Sequence, residues 1–163
     1  MISKSFALLL VIGMSSAPTM AAPAKAGLSP AERVAVFKAA GAVQRGGKWL
    51  MCADQPNPGG ATIDEVRDLN GDGRPEAIIS EGGSFCYGSA ETGYAIVSKQ
   101  ATGGWKVIDQ GSGIPNFLAT KSGGWPDMEV GGPGFCFPVQ RWNSKGYALH
   151  RYQYEGKACR PNR

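Results

Sequence analysis

Histidine is almost missing from this chain: His150 is the only one in 163 residues. A Ser-His-Asp site would have to use it, and no Gly-x-Ser-x-Gly elbow accompanies it. His150 lies in a strand-like run between Leu149 and Arg151, where a solvent-facing histidine needs no further role. There is no Cys-x-x-Cys pair, which with one histidine argues against zinc. Walker-type phosphate loops and dinucleotide fingerprints are absent. No dense Lys/Arg stripe appears, so nucleic acid is not an expected partner. No apolar run is long enough to span a bilayer, so no stable membrane anchor is expected. Asp127 and Glu129 would share one face of an extended segment, but a glycosidase needs two carboxylates facing each other across its substrate. The expectation is a non-enzymatic protein.

What is present begins with Lys4, the apolar run Phe6 to Gly13 and the small-residue stretch Met14 to Ala22. This order reads as a secretory signal over residues 1–21, with cleavage expected after Ala21 or, second, after Ala24. Removing residues 1–21 takes away one lysine and no acid, so the formal charge falls from +4 to +3. The destination is the periplasm or the extracellular space. Cys52, Cys86, Cys136 and Cys159 then read as two disulfides. Three pairings satisfy the count. The expected one is Cys52–Cys86 with Cys136–Cys159, which closes the shorter loops at about 3 kcal/mol each.

The 24 glycines are about twice the usual share and separate short apolar runs. Residues 22–28 form a flexible lead-in, and residues 29–163 one disulfide-braced domain. Ser29-Pro-Ala-Glu32 carries a capping box with proline at the first helical position. The helix should run to about Ala40, with Val34, Phe37 and either Ala40 or Gly41 on the inward face and Gly41 as the natural stop. Strands are expected at 49–53, 63–68, 76–81, 94–100, 105–110, 135–142 and 147–154. Residues 114–120 suit a helical turn or a loop. The fold class is mainly β, α+β overall. The N-terminal helix packs on an antiparallel meander of about six to eight short strands, in a partial propeller-like or barrel-like sheet. Glu81-Gly-Gly-Ser-Phe-Cys-Tyr87 and Val130-Gly-Gly-Pro-Gly-Phe-Cys-Phe137 echo each other, as a duplicated β unit or, more simply, glycine richness alone would produce.

Asp68-Leu-Asn-Gly-Asp-Gly-Arg-Pro-Glu76 places oxygen-bearing side chains at loop positions one, three, five and nine, with glycine after the fifth. That spacing curls oxygens around a hard cation such as Ca²⁺. Two unit charges about 5 Å apart repel by roughly 1–3 kcal/mol, and a divalent cation removes the penalty. Asn-Gly and Asp-Gly also make hairpin turns without any metal. Position twelve is Ile79, so the loop is no EF-hand. The segment Val66 to Ile79 resembles the calcium-binding segment of FG-GAP/VCBS repeats, which form β-propeller blades. The resemblance implies structural Ca²⁺ held by Asp68, Asn70, Asp72, the carbonyl of Arg74 and Glu76. The family usually has aspartate where this chain has Glu76, and it occurs in several copies where this chain has one.

Residues 123–142 combine Trp125, Phe135, Phe137 and Trp142 with glycines and prolines. Such a set is more often the core of a small β domain than a binding face. If it binds a protein or glycan partner, Trp125, Phe135 and Trp142 are the candidate contacts. Two functions follow. One is a secreted, calcium-braced module that binds a macromolecule or has a structural role. The other is a small disulfide-braced inhibitor or ligand-binding protein acting on an envelope or extracellular enzyme.

Overall fold

The computed structural model describes residues 27–161. The signal segment 1–21 and its two cleavage positions lie outside the described residues, as does the lead-in up to residue 26. Helix α1 (Pro30–Ala39) starts as its sequence dictates: Ser29 caps Glu32 N–H, and the Glu32 side chain returns to the Ser29 N–H. Gly41 ends it at φ +76°. The buried face differs from expectation. Val36, Phe37 and Ala40 point inward, while Val34 is 39% exposed. At about 100° per residue, positions 36, 37 and 40 fall within one arc and position 34 falls outside it.

A hairpin follows, β1 (Val43–Arg45) with β2 (Lys48–Leu50). Its turn residues Gly46 and Gly47 both take positive φ, which glycine adopts without steric cost. The sequence pattern points to the second of these strands and not to the first. Trp49 stacks on Phe37 at 5.3 Å between ring centroids and ties the hairpin to the helix.

Two antiparallel meanders make up the rest. The first is β3 (Thr62–Arg67), β4 (Glu76–Gly82), β5 (Thr92–Lys99) and β6 (Trp105–Ser112). The second is β7 (Ile114–Ser122), β8 (Trp125–Gly131), β9 (Phe137–Trp142), β10 (Tyr147–Tyr154) and β11 (Lys157–Ala158). Strands in each sheet lie in chain order and both sheets are open. The fold is mainly β, α+β in class, with eleven strands among the described residues.

Strands β4 and β5 are buried on both faces. Ala77, Ile79, Ala95 and Val97 pack under Val36 and Phe37 of the helix. Tyr94 and Ile96 on the other face meet Trp125, Met128 and Val130 of the second sheet. The layers are therefore helix, four-stranded sheet, five-stranded sheet.

The segment 114–120 is strand β7, not a helical turn or loop. Pro115 and the polar Asn116 and Lys121 obscure its pattern, but an edge strand tolerates both, and pairing with β8 supplies its hydrogen bonds. Residues 125–131 also form a strand, which the glycines at both of its ends obscure in the sequence. Between β4 and β5 the chain makes a short helix, α2 (Ser84–Tyr87), and a 3₁₀ turn (Gly88–Ala90). Cys86 on α2 pairs with Cys52, and Cys136 pairs with Cys159, with Cα separations of 6.3 and 5.7 Å. The expected connectivity is the one formed. Gly93 is needed where it stands: a Cβ there would lie 2.0 Å from the Tyr87 ring. Among the described residues no helix is long and apolar enough to cross a membrane.

Phe37→Ala removes a buried ring and its stacking on Trp49. Urea unfolding should show a loss of about 3–5 kcal/mol, against less than about 0.5 kcal/mol for Val34→Ala. Equal losses would mean that the inward face of α1 is misassigned.

Candidate functional site

The acidic loop joins β3 to β4 and is coiled by its own side chains. Asp68 Oδ1 accepts from the N–H groups of Gly71 (2.7 Å) and Asp72 (3.2 Å), and Oδ2 from Gly73 (2.8 Å). Asn70 Oδ1 accepts from Asp72 N–H at 2.9 Å, and Asp72 Oδ1 from Arg74 N–H at 2.8 Å. Gly71 and Gly73 take φ near +80°. Burial pushes the Asp68 carboxyl up, but the N–H groups of residues 70 to 73 outweigh it and hold it below its ordinary value.

Glu76 is fully buried. Its Oε2 accepts from Leu69 N–H at 2.7 Å and its Oε1 from the Ser98 hydroxyl at 2.8 Å. Burial raises its pKa, and the nearby Asp72 and Asp68 raise it further, against the two hydrogen bonds. Arg74 supplies the local positive charge. Its guanidinium meets Asp72 at 2.5 Å and its Nε donates to the Lys99 carbonyl at 3.3 Å. The coil thus turns the oxygens of residues 68, 70 and 72 together, yet each of them accepts an N–H. Among the described residues no three His, Cys, Asp or Glu side chains converge as a metal group. In this arrangement the side chains of residues 68, 70 and 72 close the turn, and Glu76 anchors its end.

The three aromatic candidates are split. Trp125 is a core residue, 8% exposed, stacked on the half-buried Trp142 at 4.5 Å. Tyr147 meets both indoles edge-on. Phe135 lies apart, 59% exposed, beside Tyr154 and next to the disulfide cysteine Cys136. Phe85, next to Cys86, is exposed in the same way.

Asp127 and Glu129 share one face of β8, but both are already engaged. Asp127 is fully buried and takes Arg141 bidentately, with contacts at 2.9 and 2.7 Å. The Thr120 hydroxyl donates to it at 2.6 Å and Arg151 approaches at 3.4 Å. The Arg141 guanidinium holds this carboxyl far below the usual range. Glu129 accepts from Gln153 Nε2 at 2.7 Å. His150 is exposed at a bulge in β10.

Two features had no reading from sequence. Glu81 is 1% exposed and accepts from Cys52 N–H at 2.7 Å and Tyr87 O–H at 2.8 Å, leaving Oε1 without a partner among the described residues. Burial and this carboxylate push the Tyr87 hydroxyl well above its ordinary value. A glutamate at a strand end gives no signal of such burial. The other feature is a groove of about 360 Å³ between the acidic loop, β5–β6 and the β9–β10 turn. Lys106 and the Ser144-Lys145 turn beside Trp142 were its visible traces. A larger cavity, about 520 Å³, opens beside Met51 and Tyr87 and has no charged lining. No family model matches the chain, and no curated protein or solved structure matches it.

Asp127→Asn should cost on the order of 2 kcal/mol at neutral pH. This is below the figure for a broken buried pair, because Arg141 and Arg151 keep 36% and 31% of their side-chain exposure. The sign with pH follows from the lowered folded pKa. The Asp127 contribution is complete above the unfolded value of about 3.9 and is lost as pH falls toward the folded one. Urea unfolding between pH 5 and pH 2 should therefore be flatter in the variant. An unchanged acid slope would remove Asp127 from the account.

Proposed function

We propose that this chain is a non-enzymatic module exported to the periplasm or the extracellular space, braced by Ca²⁺ in the Asp68–Glu76 loop, which binds a protein or glycan. The observation that carries calcium is the coil itself. Side-chain oxygens at positions 68, 70 and 72 face one turn, and the loop end is anchored in the core through Glu76. The FG-GAP/VCBS-like spacing of the same residues supports this reading. Calcium uptake requires the Asp72 carboxylate to exchange Arg74 for the ion, with Asp68, Asn70, the Arg74 carbonyl and Glu76 as the remaining ligands. A non-catalytic role is supported by the carboxylates: Asp127, Glu129 and Glu76 are held by protein donors. Two disulfides are compatible with an oxidising compartment.

One observation favours the second reading, an inhibitor or ligand-binding protein acting on an envelope or extracellular enzyme. Phe85 and Phe135 are 65% and 59% exposed, and each immediately precedes a disulfide cysteine. Rigidly held aromatic knobs suit insertion into a partner's pocket.

Thermal unfolding of the oxidised protein in EDTA and in millimolar Ca²⁺ tests the calcium brace. With a dissociation constant of about 10 µM, 1 mM Ca²⁺ adds about 2.7 kcal/mol, and Asp72→Ala abolishes the gain. No shift, or the same shift in that variant, would leave the loop as turn chemistry alone.

A further inference from the structure

The groove beside the acidic loop carries four cations, Arg74, Lys99, Lys106 and Lys145, against one carboxylate, Asp72. Two of the cations are already paired, Arg74 with Asp72 and Lys99 with Glu32. Lys106 and Lys145 enter none of the ion pairs among the described residues. They stand on different elements, Lys106 on β6 and Lys145 in the turn between β9 and β10.

That turn is held in place. Asn143 Oδ1 accepts from Lys145 N–H at 3.1 Å and Gly146 N–H at 3.2 Å. Gly146 packs close to β6, where a Cβ would lie 3.7 Å from the Ile108 carbonyl. Trp142 is half-buried and lines the groove, braced from within by Trp125. Two unneutralised ammonium groups on fixed elements, with an indole in the same concavity, match an anionic group carried on a ring. The charge is met by the lysines, and the C–H face of a sugar suits the indole.

We propose that this groove binds an acidic oligosaccharide, with its anionic group taken by Lys106 and Lys145 and a sugar ring placed against Trp142. The inference rests on the reading of the chain as a binding module and does not require calcium in the loop. Carboxylated and sulfated sugars share this chemistry, so the source of the charge is an arm of the test.

The experiment is a ¹H–¹⁵N NMR titration of the purified oxidised protein with four probes: oligogalacturonate, a heparin-derived sulfated oligosaccharide, a neutral cello-oligosaccharide and inorganic phosphate. At least one acidic oligosaccharide should shift amides of residues 98–108 and 142–146, and whichever does so identifies the anionic group. The neutral probe should leave them unmoved. Affinity should fall about tenfold or more in K106E/K145E, and also on raising salt from about 20 mM to about 300 mM, because the cations are solvent-facing. Silence with both acidic probes overturns the proposal. So does undiminished binding by the charge-reversed variant, or phosphate alone reproducing the map at equal affinity. A map centred on Phe85 and Phe135 overturns the groove while leaving the binding-module reading standing.

Discussion

Strands β4 and β5 have no solvent face. Their ladder runs from Glu76↔Ser98 to Gly82↔Thr92, and side chains on both sides of it are covered. Helix α1 and the second sheet each bury their apolar surface against this pair, so neither has a core without it. The acidic loop depends on it too. Glu76, the first residue of β4, fixes the loop end through Leu69 and bonds Ser98 on β5. At about 25 cal/mol per Å² of apolar surface removed from water, a doubly covered strand pair gains from each face in turn. The groove inherits its walls from the same arrangement: β5 and β6 form one side, and the second sheet, stacked on them, brings Trp142 and Lys145 to the other.

Much of this was legible in the residues. The capping box placed the start of α1, because those hydrogen bonds are local and need no tertiary partner. The cysteine pairing followed from loop length, and most strands from β-branched and aromatic runs between glycines. What failed depended on partners distant in sequence. Strand β7 carries Pro115 and breaks its apolar residues with Asn116, so only its pairing with β8 reveals it. Val36 and Val34 differ in burial because the helix lies on Ile79 and Ala95, which its own periodicity does not specify. The acidic spacing was plain, but the Arg74–Asp72 contact was not, since it concerns where a flexible side chain comes to rest. Glu81 and Asp127 look like surface charges in sequence and are buried in the fold, each held by donors that other elements provide.

The Gly-Gly-Phe-Cys echo gains meaning from its place. The first copy leaves the second strand of the four-stranded sheet and ends in α2, short of the third strand. The second copy runs from the second strand of the five-stranded sheet to the start of its third. Each carries a disulfide cysteine and an exposed phenylalanine before it. The disulfides differ in direction, Cys86 tying its corner back to Cys52 and Cys136 tying its corner forward to Cys159.

Arg74 belongs to two neighbourhoods at once. Its guanidinium neutralises Asp72 in the loop, and the same side chain lines the groove. Whatever relieves Asp72 of its arginine releases a positive charge toward the groove. An anion that settled there would draw Arg74 away and leave Asp72 freer to pair with another cation. Linkage would make the two effects reciprocal, with one side chain as the only moving part.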